Sequence, residues 1–245
     1  AGLEPEQLER VAVACGDAPW WACDVGDREQ VDAAVAGAVE ALGGLDTVIT
    51  NAGVAAQLPL VGGDPEIFER TLAVNVLGSY YTLRAAGPHI SHPGGYALAI
   101  ASLAAAVHPP LLAAYSASKA AVEAMANALR IELHASGARV GVAYFAELDT
   151  DMTRRGFGTE AAARLARRGG AITRVAPLEL GIDALERGIA RRSRRIVAPG
   201  WVAGVLPARM LAQRLVEVVT RRGLEPALEI ARAEDAPLTT RQPGP

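Results

Sequence analysis

Tyr115 and Lys119 form a Tyr-x-x-x-Lys pair in a chain that has one lysine and 23 arginines. Residues four apart share a helix face, so the ammonium of Lys119 can approach the phenol. A nearby cation favours the phenolate, which would lower the tyrosine pKa from about 10 toward neutrality and make Tyr115 a general acid or base. A compact ammonium suits this role better than the planar fork of an arginine. A solvent-facing pair without chemistry would have the same spacing.

Three further polar features accompany this pair. Ser102 ends an apolar run 13 residues before Tyr115, at the carboxyl edge where ligands of open parallel sheets bind. The stretch Asn51-Ala52-Gly53 follows another such run, where a tight turn brings backbone close to a ligand. Asn75 lies in an apolar helical pattern, where an amide needs a partner. Each feature alone fits a turn, a cap or a satisfied core group, but together they predict a ligand site that moves a proton.

The elements that must position these groups alternate between short apolar runs and helical patterns. This alternation is typical of βαβ units and a parallel sheet. Strands are predicted at 20–23, 47–50, 96–102, 139–144 and 196–199, and helices at 5–15, 28–42, 65–87, 114–135, 154–168, 177–192 and 202–232. We therefore expect an α/β fold over 1–245 in one domain, with helices of 151–195 covering the substrate and 201–245 as a helical extension.

Composition excludes several classes of function. The chain has 245 residues, of which 51% are hydrophobic and 21% charged, so it can bury a sizeable core. A net charge of −3 does not favour a nucleic-acid partner, and the most apolar run, 96–115, is too interrupted to predict a membrane span. Cys15, Cys23 and the four histidines have no metal-binding spacing. We expect no metal, no membrane contact and a cytoplasmic location.

The polar features together resemble the short-chain dehydrogenase/reductase family, NAD(P)-dependent oxidoreductases on a Rossmann fold. The resemblance is carried by Asn51-Ala52-Gly53, Asn75, Ser102, Tyr115 and Lys119, and it extends from the first helix to about Pro199. It implies a doubly wound parallel sheet in three layers, αβα. It also implies an enzyme that interconverts a secondary alcohol and a ketone or aldehyde.

The resemblance also implies a role for each member of the tetrad. Tyr115 would give a proton to the substrate oxygen in reduction, or take one in oxidation, while Ser102 hydrogen-bonds that oxygen. Lys119 would bind the nicotinamide ribose and lower the tyrosine pKa. Asn75 would hold a water in the proton relay.

Further residues are implied by the resemblance to contact cofactor and substrate. Asp24 and Val25 match the family's adenine contact, the Asn51-Ala52-Gly53 turn would approach the cofactor, and Thr150 would touch its nicotinamide end. The substrate would be a small apolar molecule, because the residues expected around the reacting carbon are apolar: Ala104, Val107, Phe145, Met152 and Phe157.

The sequence departs from the family pattern in two places. Phe145-Ala146-Glu147 stands where the family often has Pro-Gly, so the turn under the nicotinamide can differ. The glycine-rich phosphate loop is absent from its usual place, and we expect about 35 to 45 residues, the N-terminal βαβ portion, to precede this sequence. A stretch at 156–161 fits G-x-G-x-x-A, but it follows no strand and predicts a flexible loop over the substrate instead.

The sequence leaves two points open, namely the choice of cofactor and the number of subunits. Gly2 and Leu3 stand where an NAD-selective protein would carry an acid, so NAD and NADP both remain open. The helix at 114–135 has apolar or small residues on more than one side, which predicts a homodimer or homotetramer. Two other classes also remain: a catalytically silent dinucleotide-binding scaffold, and an epimerase or dehydratase of the related longer-chain branch.

Overall fold

Four parallel strands form one sheet, β1 (Thr47–Thr50), β2 (Tyr96–Ile100), β3 (Arg139–Phe145) and β4 (Arg195–Ala198), in that order across the sheet. The computed structural model describes residues 1–156, 159–165, 175–234 and 238–240. Register places Val48 beside Ala97, and Ala97 beside Val140. Parallel neighbours need a crossover connection, and helices provide it between each pair of strands. The predicted α/β fold with a parallel sheet is confirmed.

Helices cover both faces of this sheet. The described helices are α1 (Pro5–Ala14), α2 (Arg28–Leu42), α3 (Pro65–Leu72), α4 (Gly78–Ala86), α5 (Ala113–Glu132), α6 (Asp151–Gly156), α7 (Glu160–Leu165), α8 (Leu178–Ala190), α9 (Val202–Val205) and α10 (Arg209–Ala233). On one face, Ala99 and Val142 pack with Val122 of α5 and Val216 of α10. On the other face, Leu98 and Ala143 pack with residues of α8. The layers are therefore αβα, as expected.

The helix boundaries follow from local chemistry. Asp27 accepts hydrogen bonds from the N–H groups of Glu29 and Gln30 at the start of α2, and Asp64 caps α3 ahead of Pro65. Each cap satisfies donors that a first turn leaves unpaired. Gly43 ends α2 in the left-handed region at φ 72°, a conformation that costs glycine little.

The segment predicted as one helix at 65–87 contains a π-helical insertion. Residues Ala73–Leu77 form this insertion between α3 and α4. The wider turn places Asn75 in the interior, and its side chain is fully buried. The prediction of continuous helix is correct, whereas the wide turn is not visible in the apolar pattern.

The strand predicted at 20–23 is wrong. Its backbone makes one isolated parallel bridge, between Gly2 and Ala22, through Gly2 N–H to the Trp21 carbonyl at 3.2 Å and Cys23 N–H to the Gly2 carbonyl at 2.7 Å. A strand needs a ladder of successive pairs, and among the described residues Gly2 alone lies alongside. Trp21 and Cys23 of this run instead pack against α2, while Trp20 is exposed.

Most other predicted boundaries agree with the structure to within a few residues. The helix predicted at 154–168 is two short helices, α6 and α7, and its positions 157–158 and 166–168 lie outside the described residues. None of the helices in the described ranges combines the length and apolar character that spanning a bilayer demands.

Candidate active site

A cavity of about 950 Å³ opens at the carboxyl ends of β1, β2 and β3. Ligands of open parallel sheets bind at this edge because helix N-termini and loops converge there. The cavity contains every described member of the predicted site except Asn75, namely Asp24, Val25, Asn51, Ala52, Gly53, Ser102, Ala104, Val107, Tyr115, Lys119, Phe145, Thr150 and Met152. Phe157 lies outside the described residues.

Ser102 is held directly after β2 by its neighbours. Its hydroxyl accepts a hydrogen bond from the N–H of Ala104 at 3.1 Å and donates to the carbonyl of Phe145 at 3.3 Å. The hydroxyl therefore caps the short 3₁₀ turn Leu103–Ala105 and links the ends of β2 and β3. It also hydrogen-bonds the phenol of Tyr115, so Ser102 and Tyr115 form one polar pair inside the cavity.

The pKa of the Tyr115 phenol is shifted in the opposite direction to the one expected from the sequence. Burial raises its pKa above the usual value, and the hydrogen bond with Ser102 lowers it by a smaller amount. The expected depression by Lys119 is absent because burial penalises the phenolate more than its surroundings stabilise it. In this structure Tyr115 is therefore a neutral phenol at neutral pH, able to donate a proton.

Lys119 is a buried cation, with its side chain 4% exposed. Its ammonium donates to the carbonyl of Ile100 at 2.9 Å and lies 5.7 Å from the centre of the Tyr115 ring. That separation is within the range of a cation–π contact. Burial lowers the pKa of Lys119 to about 8, because the charged form loses its hydration. The ammonium still carries its charge at neutral pH.

Asn75 is not part of the cavity lining, but its hydrogen bonds stabilise the segment that forms one wall. Its Oδ1 accepts from the N–H of Val54 at 2.8 Å, and its Nδ2 donates to the Val54 carbonyl at 2.9 Å and to Ser118 Oγ at 2.9 Å. The amide thus fixes the chain just after Gly53 and ties it to α5. This arrangement satisfies the predicted need for a partner.

Gly53 keeps space open in front of Lys119. A Cβ added there would lie 3.3 Å from Asn75 Oδ1 and 3.5 Å from Lys119 Nζ. The first separation is tighter than an ordinary contact, and the second is ordinary van der Waals contact, so a methyl group would occupy this space. The Asn51-Ala52-Gly53 turn therefore leaves a cradle between the end of β1 and the ammonium.

The Asp24-Val25 corner forms another wall of the cavity. The Asp24 carboxylate accepts from the Gly26 N–H at 2.9 Å and pairs with Arg70 at 2.6 Å. Val25 packs so tightly on Gly78 that a Cβ at Gly78 would lie 2.6 Å from it. The corner is thus rigidly attached to α3 and α4, although no strand leads into it.

The Thr150 hydroxyl forms hydrogen bonds within the protein. Its Oγ1 accepts from the Thr153 N–H at 3.2 Å and contacts Thr153 Oγ1 at 3.0 Å, which organises the first turn of α6. Met152 of α6 and Phe145 at the end of β3 also line the cavity. The loop after β3 is held to a later segment by the bridge between Leu148 and Ala176.

Sequence reasoning missed Gln57, Thr159 and Thr240, all of which line the same cavity. Thr159 Oγ1 donates to Gln57 Oε1 at 2.6 Å. Thr239 exchanges hydrogen bonds with Ala55, its N–H donating to the Ala55 carbonyl at 2.9 Å and its Oγ1 accepting from the Ala55 N–H at 3.0 Å. One signal was available: Gln57 is an amide in an apolar run, as Asn75 is.

The fold and this cavity define an α/β protein with a ligand-sized cavity at the carboxyl edge of a parallel sheet, and sequence comparison specifies the family. The chain belongs to the short-chain dehydrogenase family, whose model matches residues 2–156.

Relatives and a solved structure agree with this assignment. Sorbose reductase sou1 of Schizosaccharomyces pombe is 38% identical over 138 residues, 54% of this chain and 54% of that protein. An inactive 2-(S)-hydroxypropyl-CoM dehydrogenase 2 of Xanthobacter autotrophicus is 34% identical over 163 residues, 65% of this chain and 71% of that protein. A short-chain dehydrogenase/reductase from Burkholderia phymatum in complex with NAD has a TM-score of 0.71 at 22% identity, covering 88% of this chain and 83% of that one. This chain spans about half the length of several curated relatives that it matches.

Proposed function

We propose that the protein is an NAD(P)-dependent oxidoreductase that interconverts a secondary alcohol and a ketone or aldehyde. The observation that carries the proposal is the hydrogen-bonded Ser102–Tyr115 pair beside the buried Lys119 ammonium in one cavity. No folding requirement explains a buried lysine there, since burying an ammonium costs free energy. Membership of the short-chain dehydrogenase family supports the proposal.

The residues suggest the following division of labour during carbonyl reduction. Tyr115 donates its phenolic proton to the substrate oxygen, for which its raised pKa is suited because the phenol is neutral beforehand. Ser102 hydrogen-bonds the same oxygen and orients it against Tyr115. Lys119 holds positive charge beside the phenol as it becomes a phenolate, which stabilises that developing charge. The hydride would come from a reduced nicotinamide cofactor when one is bound in the cavity.

The cavity fits part of a dinucleotide. The cradle at Gly53 and the Lys119 ammonium suit a ribose hydroxyl pair next to the nicotinamide, and Asp24 with Val25 suits the adenine. Among the described lining residues the glycines are Gly2 and Gly53, and neither belongs to a glycine-rich turn. These residues do not select between NAD and NADP, so both are proposed as cofactors.

A catalytically silent scaffold is the rival function, and one relative is itself named as inactive. An epimerase or dehydratase would use the same Tyr–Lys pair. Absorbance of the reduced nicotinamide separates these alternatives when NADH and NADPH are each supplied with a panel of ketones, and the oxidised forms with the matching alcohols. Net oxidation or reduction supports the proposal. Cofactor binding without turnover supports the scaffold, and conversion without net nicotinamide change supports the epimerase.

We also propose a homodimer or homotetramer in the cytoplasm, with 151–195 as the cover of the substrate. Several exposed positions of α5 carry apolar side chains on one face, Ala117, Ala124, Ala128 and Ile131, and a second copy would cover them. Cys15 and Cys23 are both free, which fits a reducing compartment. Met152, Thr159 and Leu165 of the proposed cover line the cavity.

A further inference from the structure

The polar side chain of Gln57 lines the cavity within a stretch of otherwise apolar, buried residues. Its side chain is 8% exposed, and its neighbours Val54, Ala55, Ala56 and Leu58 are buried. Burying an amide costs free energy unless its groups find hydrogen-bond partners. The position therefore has an energetic cost that a methionine or leucine of similar size would avoid.

One half of the Gln57 amide is satisfied by the protein. Thr159 Oγ1 donates to Oε1 at 2.6 Å, and the same Thr159 hydroxyl accepts from the Ala162 N–H at 3.1 Å in the first turn of α7. Since Thr159 engages the amide oxygen, the Nε2 end of the Gln57 amide remains to bind a ligand. Within the described ranges, Nε2 donates to no protein group.

The charges around the cavity indicate what Nε2 can bind. Glu147 and Asp149 both line it, and the nearby Arg154 is paired with Asp149 at 2.5 Å and with Asp151 at 2.7 Å. Among the described lining residues the other cation is Lys119, which lies beside the Tyr115 ring. A carboxylate or phosphate on the rest of the ligand would therefore add negative charge to this acidic lining with no free cation to pair with it. A neutral oxygen, such as a hydroxyl or a second carbonyl, can accept the hydrogen bond without that repulsion.

We propose that Gln57 is a specificity-determining residue whose Nε2 donates a hydrogen bond to a second, uncharged oxygen of the substrate. The substrate class is then a hydroxyketone or diketone, or the corresponding diol, and not the purely apolar compound that the sequence predicts. This inference rests on the proposed oxidoreductase function. It differs from a purely structural role, in which Gln57 would serve only to anchor the start of α7 through Thr159.

Matched ketones test the substrate class. We would compare kcat/KM of the wild type, with its preferred nicotinamide, for 4-hydroxy-2-butanone against 2-pentanone and for 4-hydroxycyclohexanone against 4-methylcyclohexanone. The members of each pair have equal numbers of heavy atoms and differ in the extra hydroxyl. We expect the hydroxylated member to be preferred by about tenfold, as one buried hydrogen bond to the ligand gives.

Two variants separate recognition from anchoring. Gln57→Met removes the donor at similar length, while Thr159→Val removes the anchoring bond and leaves the Gln57 amide in place. We expect Gln57→Met to abolish the preference by lowering kcat/KM for the hydroxylated ketones alone, and Thr159→Val to retain it. Melting temperature and nicotinamide affinity of each variant would establish that it is folded.

The outcomes are distinct. Turnover of both members of each pair without preference, or a preference that survives Gln57→Met, would overturn the inference and leave the oxidoreductase function standing. If Gln57→Met and Thr159→Val lowered kcat/KM equally for both members of each ketone pair, the inference would also be overturned. Gln57 would then act only by anchoring α7 through Thr159. No turnover of any ketone or alcohol with either nicotinamide would overturn the proposed function and this inference with it.

Discussion

At the scale of single residues, burial acts in opposite directions on the two groups proposed to move the proton. It raises the pKa of the Tyr115 phenol and lowers that of the Lys119 ammonium to about 8, since each charged form loses hydration. At neutral pH the pair is therefore a neutral donor beside a cation. Proton transfer from Tyr115 would convert it into a phenolate–ammonium ion pair, which the buried setting strengthens.

Replacing Tyr115 with phenylalanine tests the assigned proton donor. Tyr115→Phe removes the hydroxyl and keeps the ring, so we expect kcat to fall by about 10² to 10⁴-fold while nicotinamide affinity changes little. Steady-state kinetics and fluorescence titration with the reduced nicotinamide measure the two effects. Tyr80→Phe is a matched control, because Tyr80 is exposed on α4 and lies outside the cavity lining. Near wild-type kcat in Tyr115→Phe would refute the assignment.

The depressed pKa of Lys119 predicts a pH dependence of stability. Between the folded pKa of about 8 and the unfolded value of about 10.5, the unfolded chain holds a proton that the folded chain has released. The unfolding free energy of the wild type should therefore rise with pH across this window, by about 2 kcal/mol from about pH 7.5 to about pH 9.5, relative to Lys119→Met. Urea unfolding at each pH measures it. A difference between the two proteins that does not change with pH would contradict the prediction.

Much of the site could be predicted at this scale, because residue type and spacing are sequence properties. Ser102, Tyr115 and Lys119 meet in one cavity as predicted from their spacing. The direction of the Tyr115 pKa shift was not predictable, since it depends on burial that no local pattern encodes. Gln57 was missed because an amide in an apolar run indicates a buried polar group but does not reveal whether that group faces a cavity.

At the scale of elements, the cover of the cavity depends on contacts distant in sequence. The N-terminus of α7 is capped by Glu234, which follows α10: its carboxylate accepts from the Glu160 N–H at 2.8 Å and from the Ala161 N–H at 3.3 Å. A six-residue helix has few internal hydrogen bonds and relies on such caps and on tertiary packing. The buried residues Ala161 and Leu165 accordingly pack against Ala227 and Ala231 of α10.

Removing this cap should loosen the cover without touching the proposed catalytic pair. We expect Glu234→Ala to increase amide hydrogen exchange in 160–165 and to raise KM for the carbonyl substrate by about 3- to 10-fold, as the loss of about 0.7 to 1.4 kcal/mol of capping predicts. Nicotinamide affinity should stay unchanged. Glu229→Ala is the control, because it removes an exposed carboxylate of α10 five residues before Glu234. Unchanged exchange in Glu234→Ala would show that the cap does not hold α7.

Elements with strong local signals were the predictable ones. Asp27, Asp64 and the left-handed Gly43 fix helix ends through interactions within a few residues. The 20–23 strand failed because pairing is not local: an apolar run becomes a strand when another segment supplies a ladder, and Gly2 supplies one bridge. The π-helical insertion at Ala73–Leu77 likewise serves a distant contact, from Asn75 to Val54.

At the scale of the whole molecule, one face of α5 has no cover within the described chain. The opposite face of this helix is buried through Val122 and Ala126 against the sheet. On the uncovered face, Ala117, Ala124 and Ala128 leave a smooth surface that ends at Ile131, which is 77% exposed. Small side chains allow two helices to approach closely, and apolar exposure of this kind favours association.

A charge placed in the middle of this face should separate the proposed subunits. We expect the wild type to sediment as a dimer or tetramer at micromolar concentration and Ala128→Glu as a monomer, because pairing two symmetry-related carboxylates in an apolar contact is unfavourable. Val13→Glu puts the same charge on an exposed apolar position of α1 and should leave the assembly intact. Circular dichroism would verify that both variants are folded, which the exposure of both positions favours. A wild-type monomer, or an oligomer that survives Ala128→Glu, would show that α5 does not form the subunit contact.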